Sequence, residues 1–251
     1  EIEKIFLKFK PELVFHAAAL KHVPLVEKNI FEAMATNVIG TFNVANACKA
    51  LNVETMVMIS TDKAINPSSI MGASKRLAEI YCQALDIECP SMSSTRYVTV
   101  RFGNVLGSTG SVVPLFQKQL AEGGPLTVTH ANMTRYFMTI SEAVELVLQA
   151  SALASQDSIG KIYVLDMGEP VKIYDLATQM IRLAGLVPRK DIEIKIIGPR
   201  PGEKMFEELL HDSENLFSTE LEGILLAAPR TESIDEISNS IVLNLKNILN
   251  F

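Results

Sequence analysis

The stretch Val57–Lys75, VMISTDKAINPSSIMGASK, decides how this chain is read. It continues an apolar strand, Met56 to Ile59, straight into Ser60, Thr61, Asp62 and Lys63. Hydroxyl, carboxylate and ammonium groups in four consecutive positions give a strand end suited to acid–base chemistry. Asn66-Pro67-Ser68-Ser69 supplies a turn, and the spacing predicts a helix from about Ile70. On that helix Met71 and Lys75 are four apart and share a face beside the strand end. A hydroxyl pair, an acid and two lysines therefore converge on one small volume.

Ser-Thr-Asp-Lys, then Asn-Pro, then a residue-x-x-x-Lys helix resembles the extended short-chain dehydrogenase/reductase superfamily. The fuller string is similar to the nucleotide-sugar 4,6-dehydratases of polysaccharide biosynthesis. That superfamily usually carries Tyr-x-x-x-Lys, whereas this chain has Met71-Gly-Ala-Ser-Lys75. The substitution resembles the large, membrane-anchored, CapD-like branch of the UDP-N-acetylglucosamine 4,6-dehydratases, and further motifs extend the match from Pro11 to Arg230. The resemblance implies an α/β fold: a Rossmann-like, doubly wound parallel sheet, N-terminally truncated, with a smaller C-terminal substrate-binding subdomain. Residues 1–110 are expected to form part of the dinucleotide-binding domain. Residues 111–251 are expected to be mainly substrate-binding, with a segment around 130–170 returning to the sheet.

Composition agrees with a globular fold. With 251 residues and 48% hydrophobic content the chain buries a sizeable core, and length alone allows one large domain or two small ones. A net charge of −6 offers no basic field for nucleic acid and no polybasic membrane segment. No run of about 18 apolar residues and no signal peptide is present. Cys48, Cys82 and Cys89 form no C-x-x-C pair and read as reduced thiols of a cytoplasmic protein. No metal site is suggested.

Upstream of the central stretch, Glu1 to Lys10 reads as an amphipathic helix with Ile2, Ile5, Phe6 and Phe9 at helical spacing. Leu13 to Ala19 reads as a buried strand finishing in three small side chains. Such an end lets a flat ligand approach the backbone, or simply packs tightly against a helix; the resemblance assigns Ala17 and Ala18 to the cofactor. His16 reads as a packed histidine. Leu20 to Pro24 reads as a solvated loop, for which the resemblance implies substrate contacts from Lys21 and His22. Phe31 to Leu51 is predicted as a long helix whose apolar side is interrupted by Asn37. A buried amide needs partners, and the resemblance puts such an Asn between the helix and loops near the cofactor.

Downstream, the central helix continues past Leu85 to a polar linker, Asp86–Thr95, and a strand Tyr97–Phe102. The glycine-rich loop 103–111 lacks the Gly-Lys-Ser/Thr ending of a Walker motif. Arg-Phe-Gly-Asn-Val-x-Gly is instead similar to the dehydratase and epimerase segment that opens the sugar-nucleotide pocket, implying substrate contacts from Asn104, Ser111 and Val112. A helix Val112–Glu122 and strands Leu126–Thr129 and Arg135–Thr139 follow, with Ser141 as the expected N-cap of a helix to Leu153. By the same resemblance Arg135 lies near the nucleotide diphosphate. Strand Ile162–Leu165, helix Ile173–Ala184 capped by Gly185 and strand Ile192–Ile197 lead into Arg-Pro-Gly-Glu-Lys. Its two flanking prolines stiffen this loop, and the resemblance implies that Arg200, a planar donor fork, meets the pyrophosphate and Glu203 the ribose. From Glu207 onward helices and a tail are expected.

No Gly-x-x-Gly-x-x-Gly occurs near the start, although that motif normally seats the cofactor pyrophosphate. Weak or absent cofactor binding by this chain alone, and an exposed sheet edge able to pair with another copy, are therefore expected. The parent protein is expected to be membrane-anchored through a missing N-terminal region, facing the cytoplasm, and a homo-oligomer.

The resemblance implies an internal redox cycle with NAD or NADP on a UDP-sugar. Lys63 removes the C5 proton, Asp62 protonates the departing C6 hydroxyl, Thr61 or Ser60 hydrogen-bonds the C4 oxygen, and Lys75 holds the nicotinamide ribose. Ser60 also falls among the cofactor contacts. Met71 has no proton to exchange, so Asp62, or Lys75 through water, takes the C4 hydroxyl proton. A C4 epimerase and a non-catalytic sugar-nucleotide sensor are the alternatives.

Overall fold

The computed structural model describes residues 1–88, 94–153, 158–211, 214–228 and Ile237. Cys89, part of the expected linker and the expected C-terminal tail lie outside them. The helices are α1 (Ile2–Phe9), α2 (Val23–Val26), α3 (Ile30–Ala33), α4 (Gly40–Ala50), α5 (Ile70–Glu88), α6 (Val112–Ala121), α7 (Ile140–Ala152) and α8 (Ile173–Leu183). The strands are β1 (Leu13–His16), β2 (Thr55–Ile59), β3 (Arg96–Arg101), β4 (Asn104–Val105), β5 (Leu126–Val128), β6 (Thr134–Arg135), β7 (Phe137–Met138), β8 (Ile162–Leu165), β9 (Val171–Lys172), β10 (Ile194–Ile196), β11 (Leu216–Ser218) and β12 (Ile224–Ala227).

Six strands form one sheet in the order β1-β2-β3-β8-β12-β11. The first four are mutually parallel, and β12 and β11 return antiparallel. Central strands buried on both faces read as near-continuous apolar runs, as Met56-Val57-Met58 does. One face packs Met56, Met58 and Tyr97 against Val38, Phe42, Ala45, Tyr81, Cys82 and Leu85. The other packs Val57, Val98, Val100 and Tyr163 against Ala143, Val147 and Ala150 of α7. Helices on both faces of a mostly parallel sheet are the expected doubly wound α/β arrangement.

A second core lies beyond the strand ends. Phe116 of α6, Leu126 and Val128 of β5, Ile173, Ala177 and Ile181 of α8, and Ile192 pack together, with β10 pairing in parallel with β5. Two further pairs, parallel β4–β7 and antiparallel β6–β9, join this core to the sheet. No described helix is long and apolar enough to cross a membrane.

Several expectations are corrected. The first strand ends at His16 and lies at the sheet edge with Leu13 44% and Phe15 43% exposed, so it is not a buried strand. The amphipathic helix expected at the start is present as α1, with Phe6 packed on the core, although none of its residues is fully buried. Phe31–Leu51 is one helical run only with a π-helical interruption, Met34–Ile39, that holds Asn37. The central helix extends through Asp86, which is buried because its carboxylate accepts from Arg96 and from the Tyr97 and Gly160 backbone N–H groups. The N-cap of α7 is Thr139, not Ser141: Thr139 Oγ1 accepts from the Glu142 N–H while Glu142 accepts from the Thr139 N–H, a reciprocal capping box. Arg135–Thr139 is split between β6 and β7, which stay outside the main sheet; of the segment around 130–170, β8 is the strand that returns to it. Beyond Glu207 the described segment contributes β11 and β12, not helices, since β12 finds the open edge of β8.

A buried ion network ties these layers. Glu79 of α5, with no exposed surface, accepts from Ser60 Oγ at 2.6 Å, Arg101 at 2.8 and 2.9 Å and Arg76 at 2.9 Å. Arg101 also donates to Glu214 at 2.9 Å. Burial pushes the Glu79 carboxyl up, but the charge and hydrogen bonds of Arg101, then Arg76 and Ser60, outweigh it and hold it down at about 2. A depressed native value stabilises the fold at higher pH. We expect the Glu79 contribution to be complete above about 4.5 and to fall away as pH drops toward about 2. Glu79→Gln should cost about 3–5 kcal/mol by leaving buried guanidinium charge uncompensated, and should flatten the acid side of the stability curve between these values. Urea titration at neutral and acid pH measures both effects.

Candidate active site

The carboxyl ends of β1, β2 and β3 open onto a cleft of about 470 Å³ between the sheet and the second core, where ligands of open α/β sheets bind. Ala17, Ile59, Ser60, Thr61, Lys63, Met71, Lys75 and Asn104 line the sheet side; Ser111, Val112, Arg135, Arg200 and Glu203 line the other. Lys21 and His22 stand at its rim. Among the sequence candidates, Ala18, Asn37 and Asp62 do not line it; Asn37 and Asp62 are buried behind its wall.

The centre of the cleft is the turn after β2. Ser60 N–H donates to the Val100 carbonyl at 2.7 Å and Asp62 N–H to the Phe102 carbonyl at 3.1 Å, so the turn leaves the sheet along β3. Residues Asp62–Ala64 then form one 3₁₀ turn capped by Thr61. The Asp62 side chain is fully buried: its Oδ1 accepts from Thr61 Oγ1 at 2.9 Å and Lys63 Nζ at 2.8 Å. Its Oδ2 is buried without a partner among the described residues. Lys63 Nζ also donates to Asn104 Oδ1 at 3.2 Å. Helix α5 begins against this turn at Gly72; a Cβ there would overlap the Lys63 carbonyl, which explains glycine within Met-Gly-Ala-Ser-Lys.

Lys75 reaches the floor of the cleft, where its Nζ donates to the Ile59 carbonyl at 2.6 Å. Burial lowers its pKa, opposed by Glu79 and Cys82. Met71 is buried one turn earlier and lines the same cleft. The Ser60 hydroxyl hydrogen is committed to Glu79, which leaves Thr61 as the hydroxyl that faces the cleft in hydrogen-bonding contact with Asp62.

Asn37 uses both ends of its amide on the protein. Its Oδ1 accepts from Leu20 N–H at 2.7 Å, and its Nδ2 donates to the Leu20 carbonyl at 3.0 Å and Ser74 Oγ at 2.9 Å. It thus clamps the 17–22 loop to α5. His16, behind the loop, shares 2.9 Å with Thr41 Oγ1, whose own hydrogen goes to the Asn37 carbonyl; the imidazole therefore donates from Nε2. Burial, then the Lys75 charge, lowers His16 to about 4, so it is neutral.

On the opposite wall Ser111 Oγ is buried and without a partner among the described residues. Arg135 is only 8% exposed and donates to the Thr134, Met205 and Lys204 carbonyls, so its fork fastens the 200–207 loop. Glu203 accepts from Arg200 N–H at 3.1 Å and pairs with Arg135 at 3.6 Å, closing the same loop. The Arg200 side chain is exposed toward the cleft.

Glu207 escaped the sequence reading, which ended its motifs at Lys204. It is 8% exposed, and its Oε1 lies 3.5 Å from Lys63 Nζ and 3.6 Å from Arg135 Nε. The segment carrying it is irregular, so no helical or strand spacing could have aimed it at Lys63. Glu27, equally unmarked, accepts from the Ile70 N–H at 2.7 Å and caps the start of α5. No group of three or more His, Cys, Asp or Glu side chains that could hold a metal ion occurs among the described residues.

A family model described as polysaccharide biosynthesis protein matches residues 1–229. The chain is 57% identical over 213 residues to a capsular polysaccharide biosynthesis protein CapD of Staphylococcus aureus, covering 85% of this chain and 34% of that protein. It is 35% identical to a UDP-N-acetylglucosamine 4,6-dehydratase (inverting) of Campylobacter jejuni, covering 90% and 64%. It is 39% identical to a UDP-glucose 4-epimerase of Rickettsia rickettsii, covering 80% and 56%. Among solved structures, Pen from Bacillus thuringiensis superposes with a TM-score of 0.81 at 34% identity, covering 98% of this chain and 79% of that one. The chain thus spans about a third of the staphylococcal relative and under two thirds of the other two curated relatives.

Asn37→Ala removes three hydrogen bonds that hold Leu20 against α5. We expect a loss of about 1–3 kcal/mol and faster hydrogen exchange at the Leu20 amide. Unchanged protection of that amide would show the clamp to be dispensable.

Proposed function

This chain belongs to the polysaccharide biosynthesis protein family, and from that premise we propose that it carries the catalytic centre of a nucleotide-sugar 4,6-dehydratase. The substrate is a UDP-N-acetylhexosamine, UDP-N-acetylglucosamine above all, and the product is the 4-keto-6-deoxy sugar nucleotide. The observation that supports this most is the Thr61–Asp62–Lys63 turn at the centre of the cleft: a buried carboxylate that contacts both a hydroxyl and an ammonium, which line the cleft.

A bound NAD or NADP would supply the redox chemistry, a hydride acceptor for C4 and a hydride donor for C6. The site fits such a group: Ala17 and Ala19 leave the end of β1 open, and Lys75 is fixed on the cleft floor where a nicotinamide ribose can meet it. Thr61 hydrogen-bonds the C4 hydroxyl and passes its proton to Asp62 Oδ1, the acceptor it already contacts at 2.9 Å. This relay takes over the task that Met71, a thioether, lacks the proton chemistry to perform. Lys63, as the neutral amine, removes the C5 proton; the C5–H electrons form the enolate and expel the C6 hydroxyl. Asp62 gives that hydroxyl the proton received from C4, so water leaves, and Lys63 returns a proton to C5 as hydride reaches C6. Proton and hydride counts close with one water lost.

Asn104 holds Lys63 in place and is offered to the sugar, with Ser111 and Val112 beside it. Arg200 faces the diphosphate with its fork, while Arg135 and Glu203 shape the loop that carries Arg200. Lys21 and His22 contact the nucleotide sugar from the rim. The strand order supports residues 1–110 as the cofactor side and the core around Phe116 as the substrate side. The exposed edge of β1 is offered to a second copy.

A C4 epimerase is the second reading, favoured by the rickettsial relative. Epimerisation requires no C5 base and no acid for a leaving hydroxyl, so Asp62 and Lys63 weigh against it. Mass spectrometry of UDP-N-acetylglucosamine with NAD or NADP, run on this chain and on a version extended upstream to include a glycine-rich turn, separates the readings. Loss of one water is expected with the extended version, and Lys63→Ala should slow C5 deuterium uptake by about 100-fold or more. A C4 epimer of unchanged mass would establish the epimerase; an unchanged ligand with bound cofactor would leave only a binding role.

A further inference from the structure

Lys63 can act as an amine only if the proton of its ammonium has somewhere to go. Asp62 is no reservoir for it, because in the relay above Asp62 receives the C4 proton and spends it on the C6 hydroxyl. A second buried carboxylate stands on the other side of the same ammonium. Glu207 Oε1 is 3.5 Å from Lys63 Nζ, against 2.8 Å for Asp62 Oδ1. Its other oxygen, Oε2, is buried and unpartnered among the described residues, as is Asp62 Oδ2. A buried carboxylate oxygen without a donor is costly, and protonation removes much of that cost.

The position of Glu207 also separates it from a merely structural acid. A second, smaller cavity of about 110 Å³ lies behind the wall of the cleft, lined by Ser68, Ser69, Arg200, Lys204 and Glu207. Lys63 borders both the cleft and this cavity, whereas Glu207 borders the smaller cavity alone. The charged groups that meet Glu207 are Lys63 and Asp62 from the turn after β2, Arg135 from β6 and Lys204 from its own loop. With all of these ionised, Asp62, Lys63, Glu207 and Arg135 balance and Lys204 adds one positive charge; moving one proton from Lys63 to Glu207 leaves the sum unchanged.

We propose that Glu207 is the positioning residue that holds the proton of Lys63, taking it from the ammonium so that Lys63 is delivered to C5 as an amine. In that step one Lys63 N–H bond breaks and one Glu207 O–H bond forms, with no change of oxidation state. When product leaves, the proton returns or passes to water in the smaller cavity, which is also the route by which solvent hydrogen reaches C5. The inference rests on the dehydratase reading. Consistent with it, burial raises the Glu207 pKa, opposed by Lys63 and reinforced by Asp62.

The test uses Glu207→Gln, which keeps shape and loses the ability to accept a proton. In whichever preparation loses water, we expect kcat to fall about 100-fold or more with KM little changed. The acid limb of the kcat profile, present in the wild type because Glu207 must be ionised to accept, should disappear. Equal rates and an unaltered acid limb would overturn the proposal, and so would a melting temperature that falls in step with activity in Glu207→Gln and is restored with it by Glu207→Met, a non-ionisable filler of the same space. Infrared titration gives an answer that needs no turnover. The buried carboxyl band missing from Glu207→Gln should persist to higher pH in Lys63→Ala, because the cation that favours its ionisation is gone; a band that does not move would show that the two groups do not share a proton. Failure of every preparation to release water, with that band moving as expected, would count against the dehydratase reading while retaining the proton pair.

Discussion

One buried carboxylate holds the site together. Glu79 sits on the face of α5 turned to the sheet and draws in Ser60 from the end of β2, Arg101 from β3 and Arg76 from its own helix. Arg101 then reaches Glu214, so the chain leading into β11 is tied to the same point. Full desolvation of two acids and one guanidinium is expensive, and such a pair adds little net stability over an apolar replacement. Its effect is positional: the strand end that carries Thr61, Asp62 and Lys63 is attached to the helix that carries Met71 and Lys75. Loss of this connection would separate the two halves of the chemistry without emptying either core.

The turn itself is built to keep polar groups short of partners. Backbone bonds to Val100 and Phe102 carry it off the sheet, and the close approach at Gly72 presses α5 against the Lys63 carbonyl. Asp62 has no exposed surface, yet one of its oxygens has no donor among the described residues. Orphaned buried oxygens are rare because each forfeits hydration. Here the apolar packing on both faces of the sheet offsets that cost, and the unpartnered oxygen lies against Gly103.

The far wall owes its shape to a strapped loop. Lys204 donates to the Ile65 carbonyl, Ser68 to the Gly202 carbonyl and Asn66 to Glu208, while Arg135 spends its donors on the carbonyls of residues 134, 204 and 205. The loop after β10 is thereby fastened to the turn after β2 across the cleft. Arg200 is left extended from a rigid base, an arrangement in which a planar fork loses little freedom on meeting a phosphate. Glu203 and Arg135, to which the family resemblance gives ligand contacts, line the cleft and are also parts of that base.

Much of this was legible in the residues. The runs Met56–Ile59, Tyr97–Phe102 and Ile162–Leu165 located β2, β3 and β8, and Met71 and Lys75 at helical spacing located the face of α5 that meets the cleft. Chemistry concentrated at 60–63 identified the centre, because nearest neighbours on a strand end need no fold to bring them together. What failed depended on partners. The strand β1 looks buried by composition, but exposure depends on what lies beside it; β12 looks like tail until β8 offers an unpaired edge; Thr139 displaces Ser141 as cap because Glu142 completes the reciprocal pair. Glu207 is the clearest case. Local sequence determined that an acid, a base and a hydroxyl would share one turn, since adjacency along the chain is covalent. Only the tertiary structure decided that a second carboxylate, 144 residues further on by the numbering, would meet the same lysine, because contact between distant segments depends on sheet order, on the ion network and on an irregular loop that carries no period of its own.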